Sequence, residues 1–421
     1  MAVREISEAP SLRSELQCDL HQVISGKTQR WFTCTPVAFG GGPDFFARDS
    51  GLLCRGFQSI GCESRAVMPG ERKPEDDADL IRTKFANLES AAWWKSHQLD
   101  GVVLYAWGSP RFRKVAKAIH EAGIFLVLNQ DNGGLISPLA GFSGWLEEQQ
   151  ILSGLGQEYG SVASFLKRVL RGMTIGLLAT DPLRAAHLKQ GDVIACVSPA
   201  AADHYRKLCR TYGGTSLANR VKVIPHAVEP SFDFIGYAPG KVRKITSVGR
   251  WQEQIQKRPG LMRAVFQRLL GTDAEVLIEI IGERTTELES WHRSLPPGFQ
   301  ARVFLRGRLN RDQLAAVLRS SRIFYSPSAF ESFGIAAGEA LCSGCSVVAG
   351  GSASMASFEW FVSDESGTLA VPNDVEGHLA ALRDELANWD QDRRNPVSIS
   401  KNWSARLHAD RIAAQLLAMN A

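Results

Sequence analysis

Residues 326–341 read Ser-Pro-Ser-Ala-Phe-Glu-Ser-Phe-Gly-Ile-Ala-Ala-Gly-Glu-Ala-Leu. A short apolar run, Arg322 to Tyr325, predicts a strand leading into the Pro/Ser turn. A loop then carries Glu331, and a helix is expected to open near Phe333-Gly334. Glu339 follows eight residues after Glu331. A helix start offers free backbone N–H groups suited to an anion. Gly334 would let that anion approach the backbone closely. Two carboxylates aimed at a phosphate would repel it. They serve better as acceptors for hydroxyl groups beside it, and phosphate with neighbouring hydroxyls points to a nucleotide sugar.

The flanking segments extend this reading. Ser-Val-Gly-Arg-Trp occupies 247–251, with Lys257 after it. Val-Ile-Pro-His-Ala-Val-Glu-Pro occupies 223–230, and Gly-Cys-Ser-Val-Val-Ala occupies 344–349. As an ordered set, these segments and the Glu-x7-Glu spacing resemble retaining glycosyltransferases of the GT-B fold, family 4 (glycosyl transferases group 1). A weaker likeness runs through the first half, so the resemblance covers about residues 30 to 415. It implies two Rossmann-like, doubly wound parallel-sheet α/β domains facing a central cleft. It also implies sugar transfer from a UDP- or GDP-sugar to an acceptor hydroxyl, with retention at the anomeric carbon and without a bound metal. No Asp-x-Asp metal motif lies in a matching loop.

Residue by residue, the resemblance assigns Arg250 and Lys257 to the donor diphosphate. Glu339 is expected at the ribose hydroxyls and Glu331 near the transferred sugar. The backbone of Phe333, Gly334 and Ile335 is expected at the distal phosphate. The chemistry agrees: a nucleoside diphosphate gains negative charge as the glycosidic bond breaks, so cations held there stabilise the transition state beyond the ground state. The plainer alternative is two surface cations in a polar loop and two acids favoured by the helix dipole. The nucleobase is expected against Gly307-Arg308-Leu309, after another strand end.

In the first half, Gly40-Gly41-Gly42 follows a strand and opens a helix. Such a loop can approach a phosphate or a sugar, or it can simply make a tight turn; Gly41 and Gly42 are taken as donor-side candidates. Two departures from the family stand out. Where many relatives carry a histidine, this chain reads Asn129-Gln130-Asp131-Asn132, which leaves Gln130 or Asp131 as acceptor-side candidates. The usual Pro-Asn-Gly-Val-Asp appears as Pro225-His226-Ala227-Val228-Glu229, with His226 expected to be structural.

Composition sets the remaining bounds. A chain of 421 residues exceeds one ordinary domain. Its 44% apolar and 22% charged residues suit a globular protein. A net charge of +4 does not by itself indicate nucleic acid. The eight cysteines are scattered, several within apolar runs as small core residues. Cys342 and Cys345 have metal-site spacing but no partner set nearby. No leader-like or membrane-spanning stretch is visible, which suggests a reducing cytoplasm.

Along the chain, residues 1–29 form a polar lead-in. Strands are expected at Trp31–Phe39, Arg65–Met68, Gly101–Trp107, Ile124–Leu128, Asp192–Ser198 and Arg220–Pro225. Helices are expected over 44–60, 80–96, 110–122 and 199–212. Residues 227–241 read as an interdomain linker with few features of a packed core. A second alternating unit follows. Its helix at 310–320 is capped by Asn310, and further helices are expected over 259–270 and 375–389. The domains are therefore set at 1–235 and 236–400, with a C-terminal helix within 401–421 (helical spacing over 403–417) returning to the first domain.

Residues 161–172 form a short basic amphipathic helix. Either its apolar face meets the core, or it touches an anionic membrane at the inner face of the cell, where a lipid-linked acceptor would lie. A nucleotide-sugar 2-epimerase of the same architecture and a non-catalytic binding protein are the rival readings. The acceptor, whether glycan, lipid-linked or a small molecule, is left open.

Overall fold

The computed structural model describes residues 28–420 except 157–159, 237–240 and 356. Residues 1–27 of the polar lead-in, with Cys18, and residues 237–240 of the expected linker lie outside the described residues. Seven strands form the first sheet: β1 (Trp31–Cys34), β2 (Ala66–Pro69), β3 (Leu80–Thr83), β4 (Gly101–Tyr105), β5 (Phe125–Gln130), β6 (Val193–Cys196) and β7 (Val221–Val223). Six form the second: β8 (Val242–Val248), β9 (Leu277–Ile281), β10 (Val303–Gly307), β11 (Ser321–Ser326), β12 (Ser346–Gly350) and β13 (Gly367–Ala370). The spatial orders are β3-β2-β1-β4-β5-β6-β7 and β10-β9-β8-β11-β12-β13. Every ladder is parallel.

Parallel strands covered by helices on both faces are apolar throughout. β4, Gly-Val-Val-Leu-Tyr, is buried at every position. Strand order reverses between β1 and β4, and again between β8 and β11. Loops leaving the carboxyl ends of such strands diverge and leave a crevice. The Gly40–Gly42 loop follows β1, the Trp107 turn follows β4, Arg250 follows β8 and Glu331 follows β11. All four therefore sit at crevices.

Several sequence-based expectations need correction. The helix expected over 44–60 is two helices, Pro43–Phe46 and Asp49–Ser59. Arg48 is extended (φ −148°, ψ 162°) and Asp49 has φ +48°, which breaks the helix. The helix expected over 80–96 begins as β3, because Leu80 and Ile81 complete the sheet edge beside Ala66 and Val67. Short helices follow at Phe85–Leu88 and Ala91–Ser96, the second capped by Ser90. The helix expected over 199–212 continues to Asn219 across a kink at Gly214.

The linker is better packed than its composition suggests. Val228 and Phe232 are buried. Ser343 Oγ donates to the Phe232 carbonyl at 2.8 Å, and Arg319 Nε donates to the Asp233 carbonyl at 2.9 Å. The C-terminal region is two helices, Pro396–Leu407 and Ala409–Asn420. Between them His408 turns extended (ψ 144°), and Val228 N donates to the Leu407 carbonyl at 2.8 Å. Pro396–Leu407 packs on the helix Ile335–Cys342 of the second half. Ala409–Asn420 crosses the helix Asp49–Ser59 of the first. There a Cβ on Gly56 would stand 2.4 Å from the Ala409 carbonyl oxygen, so only glycine permits the approach.

Candidate active site

The end of β8 is fixed from below. Trp251 is buried, and its indole Nε1 donates to the Ile281 carbonyl at 3.0 Å. Gly282, at φ +132°, lies against the Gly249 carbonyl; a Cβ would stand 1.9 Å from that oxygen. On this base Arg250 projects outward, its side chain 65% exposed, 3.1 Å from Glu253. A short helix, Gln254–Lys257, then carries the chain back toward the loop after β11. Ala329 N donates to the Gln256 carbonyl at 2.8 Å. That stitch brings Lys257 Nζ onto Glu331 as an ion pair. Ser328 Oγ also donates to Glu331, at 2.9 Å. Lys257 and Glu331 are thus brought together, whereas Arg250 stands at the outer edge.

Gly334 is the N-cap of the motif helix Ile335–Cys342, in the left-handed region at φ +77°. A Cβ there would stand 2.8 Å from the Phe358 ring, so both backbone and space call for glycine. The first helical N–H groups, Ile335 and Ala336, have no intrahelical acceptor by construction. Glu339 sits one turn deeper, its side chain 3% exposed, and accepts from Arg311 Nη1 at 2.6 Å. Arg311 also lies 3.3 Å from Glu229 and donates to the Ala47 carbonyl of the first domain at 3.3 Å. Leu309 lies half-buried in the turn between β10 and the helix Arg311–Ser320.

Arg311 was missed by the sequence reading, though a signal existed. It opens a helix capped by a complete Asn310/Gln313 capping box. A cation there opposes the helix dipole, so carboxylates had to hold it.

The facing wall is a cavity of about 550 Å³ lined by Gly40, Gly41, Gly42, Asp49, Trp107 and Asp131 among others. Gly41 packs on Asp76, with no room for a Cβ. Asp76 and Arg82 are paired at 2.7 Å, and Arg82 also donates to the Phe39 carbonyl at 2.8 Å. That guanidinium lowers the Asp76 carboxyl to about 2, keeping the loop anchor charged. Five non-glycine residues among those described have positive φ, and two of them, Asp49 and Trp107, line this cavity. Such backbone strain gathers at functional sites.

Asp131 and His226 meet at the back of the cavity. His226 Nε2 lies 2.9 Å from Asp131, and Nδ1 lies 3.6 Å from Asp49. Burial opposes charge on the ring, yet Asp131 and then Asp49 push it up to about 8. Burial likewise opposes the Asp131 carboxylate, but His226 outweighs it and holds the group below its ordinary range. Ser332 Oγ, from the loop of the second domain, donates to Asp131 at 3.0 Å. The Phe333 ring stands edge-on to His226 at 5.5 Å. His226, expected to be structural, therefore holds a carboxylate of the cavity wall. Gln130 does not share this position: it is fully buried, and its amide donates to the Leu128 carbonyl at 3.1 Å. Among the described residues, no group of three or more His, Cys, Asp or Glu side chains is placed to hold a metal ion.

Residues 230–403 match the family described as glycosyl transferases group 1. The second domain is a group 1 glycosyltransferase domain. It marks a transferase enzyme, and the whole chain has the architecture of GT-B glycosyltransferases. A lipopolysaccharide outer core galactosyltransferase, WaaB, matches at TM-score 0.61 and 13% identity, covering 93% of this chain and 99% of that one. Sucrose-phosphate synthase from Thermosynechococcus elongatus matches at TM-score 0.57 and 13% identity, covering 93% and 98%. HepE of Anabaena, in complex with UDP and glucose, matches at TM-score 0.53 and 13% identity, covering 93% and 99%. At such identities these neighbours speak for the fold. No curated protein matches the chain in sequence.

Proposed function

We propose that this chain is a retaining glycosyltransferase that moves a sugar from a UDP- or GDP-sugar to an acceptor hydroxyl. The observation that carries the reading is the meeting of Lys257, Glu331 and the Gly334 helix start on loops after β8 and β11. Solved neighbours bound to UDP and to UDP-glucose favour a nucleotide-sugar donor. A donor diphosphate would draw Lys257 away from Glu331 and lie against the N–H groups of Phe333 to Ile335, with Arg250 closing from outside. Glu339 would take the ribose hydroxyls, in exchange with Arg311. Leu309 would meet the base, and Gly41 and Gly42 would bound the donor from the opposite domain.

Asp131, charged and held by His226, would orient the acceptor hydroxyl. Its lowered affinity for protons makes it a weak base. The leaving phosphate oxygen is the better acceptor for the hydroxyl proton, on the same face as the departing group, and that geometry gives retention. Cations around the diphosphate stabilise the developing charge without a metal. The site lies in a cytoplasmic enzyme on this reading; any contact with the inner face of a membrane depends on the outer surface of the first domain.

A thermal-shift screen of UDP-, GDP- and ADP-sugars, followed by transfer assays with the anomeric product read by NMR, tests the proposal. Stabilisation by one donor and an anomer of unchanged configuration are expected. An inverted product would overturn retention. An epimerised sugar with no acceptor present would favour the 2-epimerase, and a bound donor that is neither hydrolysed nor transferred would favour a binding protein.

A further inference from the structure

The helix Val162–Arg171 and the π-helical stretch Gly172–Thr180 that continues it contain no buried residue. A surface helix normally keeps an apolar stripe against the core. Here the apolar side chains face out: Val162 is 60% exposed, Leu166 58%, Leu170 65%, Ile175 57% and Leu178 81%. Val162, Leu166 and Leu170 recur at four-residue spacing and share one face. Met173, seven after Leu166, stands on that face too. In a π-helix, which bonds i to i+5, Leu178 falls over Met173. The π stretch therefore carries the stripe onward instead of letting it wind away. A contiguous exposed apolar row marks an interaction surface.

The charges beside the row select the partner. Lys167, Arg168 and Arg171 flank it, and no Asp or Glu occurs from Gly160 to Thr180. Arg168 turns inward toward Glu148, while Lys167 and Arg171 are exposed. The chain then enters the helix Asp181–Leu188, which packs beside the basic helix Arg113–Glu121. Among the described residues, no helix is long and apolar enough to cross a membrane. A one-sided apolar row with basic flanks lies in the interface of an anionic bilayer.

We infer that Val162–Leu178 is a docking arm that seats this protein on an anionic lipid surface. The arm rests on the first domain through Gly172, where a Cβ would stand 2.3 Å from the Trp145 ring. Neighbouring Gly144 faces Ala353 of the second domain, so the arm stands near the rim of the cleft. An acceptor carried on a lipid would be met there. The arm itself is independent of the glycosyl-transfer reading, because its binding is read without donor or acceptor.

Flotation of the full chain with phosphatidylglycerol/phosphatidylcholine vesicles tests the inference. Binding should rise with phosphatidylglycerol, fall with salt, and be lost on pure phosphatidylcholine. Lys167→Gln with Arg171→Gln should weaken partitioning about thirtyfold, at the usual contribution per basic residue. Leu166→Gln, Leu170→Gln and Leu178→Gln together should abolish it with the melting temperature unchanged, since all three are exposed. Absence of vesicle binding at low salt would overturn the inference. So would binding indifferent to lipid charge. A dimer in solution that the leucine variants dissolve, without vesicle binding, would make the arm a contact between copies and equally overturn it.

Discussion

Lys257 and Glu331 neutralise one another in this structure, as do Arg311 and Glu339. On the proposed function, a donor diphosphate would exchange for Glu331 on Lys257, and a ribose for Arg311 on Glu339. Lys257→Ala and Arg250→Ala should each lower kcat/KM by about 2–4 kcal/mol of transition-state stabilisation, the range for removing one charge-assisted donor. Arg250 sits in a loop and Lys257 ends a one-turn helix, so the fold should persist; near-normal turnover by the folded double variant would remove the assignment. Glu339→Ala should chiefly weaken donor binding, and Glu331→Ala should chiefly lower kcat. Donor titration and steady-state kinetics separate the two.

The Asp131–His226 pair carries its own pH signature. His226 is raised from 6.5 to about 8, so its stabilisation is fully present below pH 6.5 and is lost as pH rises through about 8. Asp131 is lowered from 3.8, so its stabilisation is present above that pH and is lost as pH falls through its lowered value. Between pH 6.5 and 9 the melting temperature of the unmodified protein should decline more steeply than that of Asp131→Asn. Parallel declines would mean that the pair does not hold a charged histidine.

Among the elements, the ones legible in sequence were those whose ends carry their own chemistry. The Asn310 cap, the Gly334 helix start and the Pro259 helix appear where the pattern put them. Elements decided by their neighbours were harder to read. Leu80–Thr83 has helix-compatible spacing but pairs with β2 at a sheet edge. The break at Arg48 has no glycine or proline to announce it; it serves the cavity that Asp49 lines. The site divided in the same way. The motif named Lys257 and Glu331 as candidates, but not their contact with each other, which joins the loops after β8 and β11. Contacts assembled from distant segments, such as Arg311 with Ala47 or His226 with Asp131, required the fold. Gly334→Ala tests the element most directly. Its positive φ and the Phe358 ring should together cost about 1–3 kcal/mol, seen as a lower melting temperature, with donor binding weakened as the N–H groups move. Unchanged stability would show that the helix start can relax.

The two domains are joined by two crossings that lie side by side. Val228 bonds to Leu407, and Asp233 accepts from Ser404 at 2.5 Å and lies 2.8 Å from His408. Beyond them the last helix buries Ile412, Ala413 and Leu416 in the same cluster as Trp31, Leu53 and Phe57. That helix is part of the first domain's core rather than a detachable strap. Ile412→Ala and Leu416→Ala should each cost about 2–5 kcal/mol of stability, as buried large-to-small changes do, and removing residues 409–421 should unfold the first domain before it alters chemistry. Motion is then confined to rotation about the paired crossings. Across the cleft, Ser332 to Asp131 and Arg311 to the Ala47 carbonyl resist opening. A reactive geometry needs the donor loops and the Asp131 wall within about 3–3.5 Å of the reacting atoms, so these links should set the population of closed molecules. Solution scattering should show a larger radius of gyration for Asp131→Ala combined with Ser332→Ala than for the unmodified chain, and addition of donor should narrow the gap. An unchanged radius in the double variant would mean that the crossings alone hold the domains together.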